Sequence, residues 1–434
     1  MEIADLYKLY LQHPVITTDS RDCPKGSIFF ALKGESFNGN KFAAAALKQG
    51  CAFVVVDEPD VVPENDTRYI LVDDVLTTFQ QLAREHRRAL GTKIIGITGT
   101  NGKTTTKELV AAVLSERFNT LYTQGNFNND VGVPKTLFRL TKEHEIAVVE
   151  MGASHPGDIK RLVETVEPDC GIITNVGKAH LQGFGSFEGV VRTKGELYDF
   201  LRQKGGATVF IDADNPHLLN ISNDLSLIKY GTNADDPNLT VCGRLGVCAP
   251  FLSFDWRHGN GEYHHVNTHL IGTYNLQNML AAATIGLFFG ISEQQICHAL
   301  SNYIPSNNRS QLDITQHNKL IIDAYNANPT SMAAAIRNFK TMQVAPKMAI
   351  LGDMKELGDT SKEEHQRIAD SLIDAHFDTV WLVGDEFCRT NSPFRKFKNV
   401  EEVKEELMKS QPQNQFILIK GSNSVKLFQL PEML

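Results

Sequence analysis

Apolar positions in this chain recur in two rhythms. Short unbroken runs mark strands buried on both faces, and longer stretches with apolar residues every three or four positions mark amphipathic helices. Up to about residue 90, the short runs fall at 28–32, 53–56 and 69–72, with helical spacing at 41–49 and 75–90. A second region opens with a short apolar strand at 93–97. A glycine turn follows, then a helix with Leu109, Val110, Val113 and Leu114 on one face. Further buried strands are expected at 146–150 and 171–174, and this alternation argues for a parallel sheet. Between 208 and 270, Asn, Asp, Pro and Gly split the runs, which predicts a small antiparallel patch. The apolar stretch at 279–291 reads as a buried helix, too short to span a bilayer. From about Asp313, strands at 320–323, 348–351, 379–383 and 416–419 alternate with helices at 331–340, 363–376 and 400–409, a second doubly wound pattern.

The expected fold is therefore α/β, in three domains at 1–91, 92–312 and 313–434 of the 434 residues. A net charge of -8 disfavours nonspecific nucleic-acid binding, which needs basic surface to displace phosphate counterions. Seven cysteines with no C-x-x-C spacing argue against a disulfide framework or a zinc site and for a reducing compartment. The first residues lack a basic segment followed by an apolar run, so no signal peptide is expected and the protein is placed in the cytoplasm.

The strongest local chemistry is Gly99-Thr100-Asn101-Gly102-Lys103-Thr104-Thr105, between a strand and a helix. Glycines let backbone N–H groups turn towards an anion, and the helix N-terminus adds partial positive charge. Lys103 is positioned to reach terminal phosphates and the Thr104 hydroxyl to ligate magnesium. The general phosphate-loop pattern is not met, because Ile97 stands where its first glycine would be.

This loop resembles that of the Mur ligase family, and further motifs in the same order extend the resemblance over nearly the whole chain. Gly125-Asn-Phe-Asn128-Asn129-Asp-Val-Gly-Val-Pro134 is similar to the family's second glycine–asparagine segment. Glu150-Met-Gly-Ala153 and Thr174-Asn-Val-Gly-Lys-Ala-His180 match the segments that supply a metal-binding Glu and His. Arg192-Thr-Lys194-Gly-Glu196 places Lys194 where the family carries a carbamylated lysine. Gly272-Thr-Tyr-Asn275-Leu-Gln-Asn278 is similar to the adenine-side motif. Arg309 and Asp323-Ala-Tyr-Asn326-Ala-Asn328-Pro329 match segments that reach over the nucleotide from a domain junction. Towards the N-terminus, Thr18-Asp19-Ser20-Arg21 and Gly26–Gly34 resemble a UDP-substrate domain, and Leu351–Gly358 resembles the dipeptide-adding branch.

The resemblance implies an ADP-forming amide ligase. It would join D-alanyl-D-alanine to UDP-N-acetylmuramoyl-tripeptide through an acyl phosphate, with ATP, two magnesium ions and a carbamylated lysine, acting as a monomer. It implies a small α/β UDP-substrate domain, a central parallel-sheet ATPase domain and a C-terminal Rossmann-like domain. Lys103, Lys194, His180 and Arg309 carry catalytic roles by this resemblance. ATP falls to residues 99–105 with Asn275, Asn278, Arg309, Asp323 and Asn326. Metal falls to Thr104, Glu150, His180 and Lys194, and the UDP-substrate to Ser20, Arg21, Phe30, Ala31, Gly34, Asn128 and Asn129. Tyr274 and Asn423 depart from the family's usual His and Arg. Plain alternatives remain for single residues: Asp158 as a helix cap, Arg309 as a linker residue. A sister ligase adding one amino acid, or a nucleotide-controlled switch, would use the same loop.

Overall fold

The computed structural model describes residues 1–34, 36–305 and 311–434. Arg309 lies outside the described residues. Among them the strands form three sheets. The first has four parallel strands in chain order: Ile16–Thr17, Ile28–Phe30, Phe53–Val56 and Tyr69–Leu71. Its main helix, Val75–Leu90, buries Val75, Phe79, Leu82 and Ala83 and ends at Gly91 in the left-handed conformation. The expected helix at 41–49 begins instead as a 3-10 turn, Gly39–Phe42, before Ala43–Gln49.

The central sheet has nine strands. From one edge they run His264–Ile271, Phe251–His258, Leu239–Cys248, Ser226–Gly231, Thr208–Asp212, Cys170–Ile173, Lys93–Thr98, Ile146–Glu150 and Thr120–Tyr122. Only the hairpins among the first three are antiparallel. The antiparallel patch is thus narrower than the sequence suggests, since Thr208–Asp212 and Ser226–Gly231 pair in parallel. The burial pattern shows why. Thr208–Asp212 is buried almost throughout, whereas Phe251–His258 alternates between core and solvent, as an antiparallel strand covered on one face does. The helix over the 279–291 run, Asn275–Phe288, is buried along most of its length against the phosphate-loop helix Lys103–Leu114.

Strand order reverses around Lys93–Thr98, which lies between a later strand on each side. Such a switch point opens a crevice beyond the strands' carboxyl ends, the usual ligand position in parallel sheets. The C-terminal sheet runs Gln311–Ile314, Lys319–Asp323, Phe416–Lys420, Lys347–Gly352, Thr379–Val383 and Arg395–Phe397, with only the first strand antiparallel. That first strand spans Gln311–Ile314. No helix among the described residues is long and apolar enough to cross a membrane.

Candidate functional site: a cleft between the central and C-terminal sheets

The phosphate loop follows the switch-point strand, and its glycines are conformationally required. Gly102 has φ +76°, and Gly99 has φ +145° with room for no side chain: an added Cβ would lie 2.1 Å from Thr174 Oγ1. Neighbouring segments splint the loop. Asn175 Oδ1 accepts from the Asn101 N–H at 2.9 Å, Asn175 Nδ2 donates to Asn101 O at 2.9 Å, and Thr174 Oγ1 donates to the same carbonyl at 2.6 Å. Lys103 Nζ folds back onto the carbonyls of Gly99 and Thr100 at 2.9 and 3.1 Å. An incoming phosphate would meet a lysine already held over the loop.

Glu150 ends the neighbouring strand and is 1% exposed. Its Oε1 accepts from Thr104 Oγ1 at 3.2 Å and from Asn128 Nδ2 at 2.9 Å. Its Oε2 is buried with no hydrogen-bond partner. A buried carboxylate oxygen without a donor is costly unless a cation completes it. No group of three or more His, Cys, Asp and Glu residues among the described ones could hold a metal. The donors present therefore fit a magnesium ion that takes one carboxylate and one hydroxyl from protein, and the rest from phosphate and water.

The other predicted residues divide into groups. Thr100, Asn101, Gly102, Lys103, Thr105, Asn128, Asn129, Glu150, His180, Asn275, Asn278, Asp323 and Asn326 line one cleft of about 1050 Å³. Asn278 joins its own helix, Asn275–Phe288, to the phosphate-loop helix, accepting from Thr106 Oγ1 at 3.0 Å and donating to Asn275 Oδ1 at 2.8 Å. Gly99, Thr104 and Lys194 stand behind the cleft wall. Lys194 is 2% exposed, with Nζ 3.5 Å from Ala153 O and over the Phe184 ring. Burial, with the charge of Lys103 adding to it, pushes its amine well below the usual lysine range. Glu196 does not engage it in a hydrogen bond; that carboxylate accepts from the Gly157 and Lys160 N–H groups, both at 2.8 Å. Asp158 caps its turn, accepting from the Ser154 and His155 N–H groups.

The N-terminal segment stands apart. Ser20, Arg21, Phe30, Ala31 and Gly34 are outside the cleft lining. Phe30 and Ala31 are wholly buried, Phe30 against Phe79, so their side chains belong to the core. Arg21 forms a two-point ion pair with Asp19 at the surface.

The C-terminal unit completes the cleft. Asn328 Nδ2 donates to Asn101 Oδ1 at 2.8 Å, and the Lys178 N–H donates to Thr330 Oγ1 at 3.1 Å. Lys178 Nζ pairs with Glu364 at 2.8 Å. His180, at φ +49°, pairs with Glu356, and its ring holds that carboxyl below the usual range. Lys420 and Asp323 face each other across paired strands, 2.6 Å apart, and both line the cleft. Sequence reading gave Lys420 and Asn175 no site role. Both sit at carboxyl ends of parallel strands, the signal that would have marked them.

A switch-point phosphate loop, an under-coordinated carboxylate beside it and a second α/β unit reaching over both make this a nucleotide-dependent protein of the phosphate-loop α/β class. Family models agree in chain order: Mur ligase family, catalytic domain, at residues 14–87; Mur ligase middle domain at 97–286; Mur ligase, glutamate ligase domain, at 308–423. The chain belongs to the Mur ligase family. It is 36% identical over 372 residues to the UDP-N-acetylmuramoyl-tripeptide–D-alanyl-D-alanine ligase of Bacillus subtilis (strain 168), which spans 85% of this chain and 79% of that protein. A crystal structure of MurF from Acinetobacter baumannii superposes with a TM-score of 0.86 at 30% identity, covering 96% of this chain and 92% of that one. MurF ligase from Thermotoga maritima in complex with ADP gives 0.87 at 26% identity, covering 98% and 97%.

Proposed function

We propose that this chain joins D-alanyl-D-alanine to UDP-N-acetylmuramoyl-tripeptide at the expense of ATP, forming ADP and phosphate, in peptidoglycan synthesis. The observation that carries the reading is the Thr104–Glu150–Asn128 cluster, set beside a phosphate loop that Asn328 of the C-terminal unit contacts at Asn101. The likeness to dipeptide-adding ligases over most of the chain supplies the substrates.

A carboxylate is a poor electrophile. The γ-phosphoryl group of ATP is transferred to the tripeptide carboxylate, the bond to the β-phosphate oxygen breaks, and ADP leaves. The dipeptide amine then attacks the acyl carbon, phosphate departs and the amine's proton passes to solvent. The protein's part is to position groups and neutralise charge. Lys103 sits against the loop that would carry the phosphates. Thr104 and Glu150 are the donors suited to magnesium, which when bound offsets phosphate charge. Asp323, Asn326 and Lys420 bring the C-terminal wall to the same cleft. Arg309 is proposed to add positive charge at the transferring phosphate. Lys194 is proposed to act as a carbamate: its neutral amine adds to the carbon of carbon dioxide, a C–N bond forms and a proton is released. Support comes from its burial and depressed basicity. His180 and this carbamate would then serve a second magnesium ion. The three units at 1–91, 92–312 and 313–434 would hold UDP-substrate, ATP and dipeptide in turn, in a monomer of the bacterial cytoplasm.

The test is stoichiometric. Phosphate release should require the UDP-tripeptide and D-alanyl-D-alanine together, and single amino acids should not replace the dipeptide. Steady ATP hydrolysis with neither acceptor present would favour a nucleotide switch.

A further inference from the structure

The phosphate-loop helix buries a second lysine that the reaction leaves without a role. Lys107 is 0% exposed. Its Nζ donates to the Thr123 carbonyl at 2.7 Å and to Glu108 Oε1 at 3.2 Å, and lies over the Tyr122 ring. A leucine or methionine would fill this volume without needing partners, whereas an ammonium out of water must keep every contact it has. What those contacts hold in place is informative. Thr123 is itself fully buried, and its hydroxyl accepts the backbone N–H of Glu150 at 3.0 Å. Glu108 continues the chain in the other direction, its Oε2 accepting from Tyr303 Oη at 2.5 Å, just ahead of the segment leading to the C-terminal unit.

We propose that Lys107 is a positioning residue for the metal carboxylate: by clamping Thr123 to the phosphate-loop helix, it fixes where Glu150 ends its strand and aims the free Oε2. The physical logic is rigidity. Thr123 follows the edge strand Thr120–Tyr122, which pairs on one side only. An edge segment is free to drift unless something ties it inward. Thr123 is held on the sheet side through its N–H, which donates to the Val148 carbonyl at 3.1 Å, and Lys107 adds a second tie at its carbonyl, from the helix whose first turn carries Lys103 and Thr104. The phosphate loop and the carboxylate are thereby referred to one rigid element, and a ligand geometry held to fractions of an ångström needs such support.

The inference rests on Glu150 serving a divalent cation, so the experiment separates the two. Manganese is titrated into the full chain saturated with ADP, and free manganese is read by its electron paramagnetic resonance signal. Lys107→Met and Thr123→Val should each weaken manganese binding tenfold or more. Their combination should be no weaker than the worse single variant, because both break one chain of contacts. ADP affinity without metal and UDP-tripeptide affinity should stay within twofold of the parent. Glu150→Gln serves as the control. Parental manganese affinity in Glu150→Gln would remove the metal reading itself. Weakening in Glu150→Gln with parental affinity in both Lys107→Met and Thr123→Val would overturn the positioning role alone. Should Lys107→Met not fold, Thr123→Val decides, since it removes a hydroxyl and keeps the shape.

Discussion

Asn328 Nδ2 lies 2.8 Å from Asn101 Oδ1, so a residue of the C-terminal unit donates directly to the middle of the phosphate loop. The same Asn328 caps the helix Pro329–Thr341, accepting from the Ser331 N–H through Oδ1. One amide therefore starts a helix in one unit and grips a loop in another. Asn328→Asp separates the two jobs. The carboxylate keeps the cap and loses the donor, leaving an anion against Asn101 Oδ1. The KM for ATP should rise several-fold or more, while melting temperature and UDP-tripeptide affinity hold. Steady-state kinetics with varied ATP checks this, and an unchanged KM would show the contact to be incidental.

Lys103→Ala should abolish ligation and leave UDP-tripeptide binding intact. The phosphate loop and the N-terminal sheet are separate parts of the fold, so loss of one cation need not disturb the other site. Calorimetric titration with UDP-tripeptide beside a phosphate-release assay reads both quantities. Near-normal turnover would remove Lys103 from the mechanism.

Lys194→Ala should be inactive and partly rescued by formate or acetate, whose carboxylate would occupy the space left by the side chain. Lys194→Arg should be inactive and not rescued, because arginine keeps a positive charge and supplies no metal-binding oxygen. A parental Lys194→Arg enzyme would exclude the carbamate.

The phosphate loop was legible in the sequence, and the reason is physical. The residues that must turn a backbone towards phosphate are glycines, and those that must touch it are Lys and Thr, so Gly99 to Thr105 announce themselves in one stretch. Buried parallel strands were equally readable, because Ile146–Glu150 and Thr379–Val383 are apolar almost throughout. Two kinds of feature were not. Short edge strands such as Thr120–Tyr122 and Arg395–Phe397 carry too few residues for a period to show. Long-range partnerships, such as Lys178 with Glu364 or Lys420 with Asp323, have no local signature at all. The N-terminal segment shows the converse limit: Phe30 and Ala31 belong to a recognisable motif, yet their side chains face the core.

Asp212, at the carboxyl end of its strand, is buried and its carboxyl is pushed up to about 7 by that burial. The unfolded chain would titrate it near 3.8. Between these values the folded protein binds the proton that the unfolded chain has lost, so this group's contribution to stability falls as pH rises from about 4 to 7 and levels off above. Asp212→Asn keeps an oxygen to accept from the Asp214 N–H and removes the titration. It should gain on the parent as pH rises, by on the order of 2–4 kcal/mol at pH 8. Urea melts across that range provide the measurement, and parallel pH profiles would refute the assignment.

Asn423→Arg should not raise activity. Asn423 is exposed in a 3-10 turn, and the buried cation nearest in sequence, Lys420, already faces the cleft beside Asp323. A large gain in affinity for D-alanyl-D-alanine would show that a second cation is wanted there.

The stretch from Thr174 to Gln182 is tied at both ends. Thr174 and Asn175 are bonded to Asn101 of the phosphate loop, and Lys178, His180 and Gln182 are bonded to Glu364, Glu356 and the Glu356 carbonyl. So short a tether has little slack. Any movement of the C-terminal unit away from the central sheet would either break its hold at Glu356 and Glu364 or tug on Asn101. The phosphate loop and the C-terminal unit would then be linked mechanically through these nine residues.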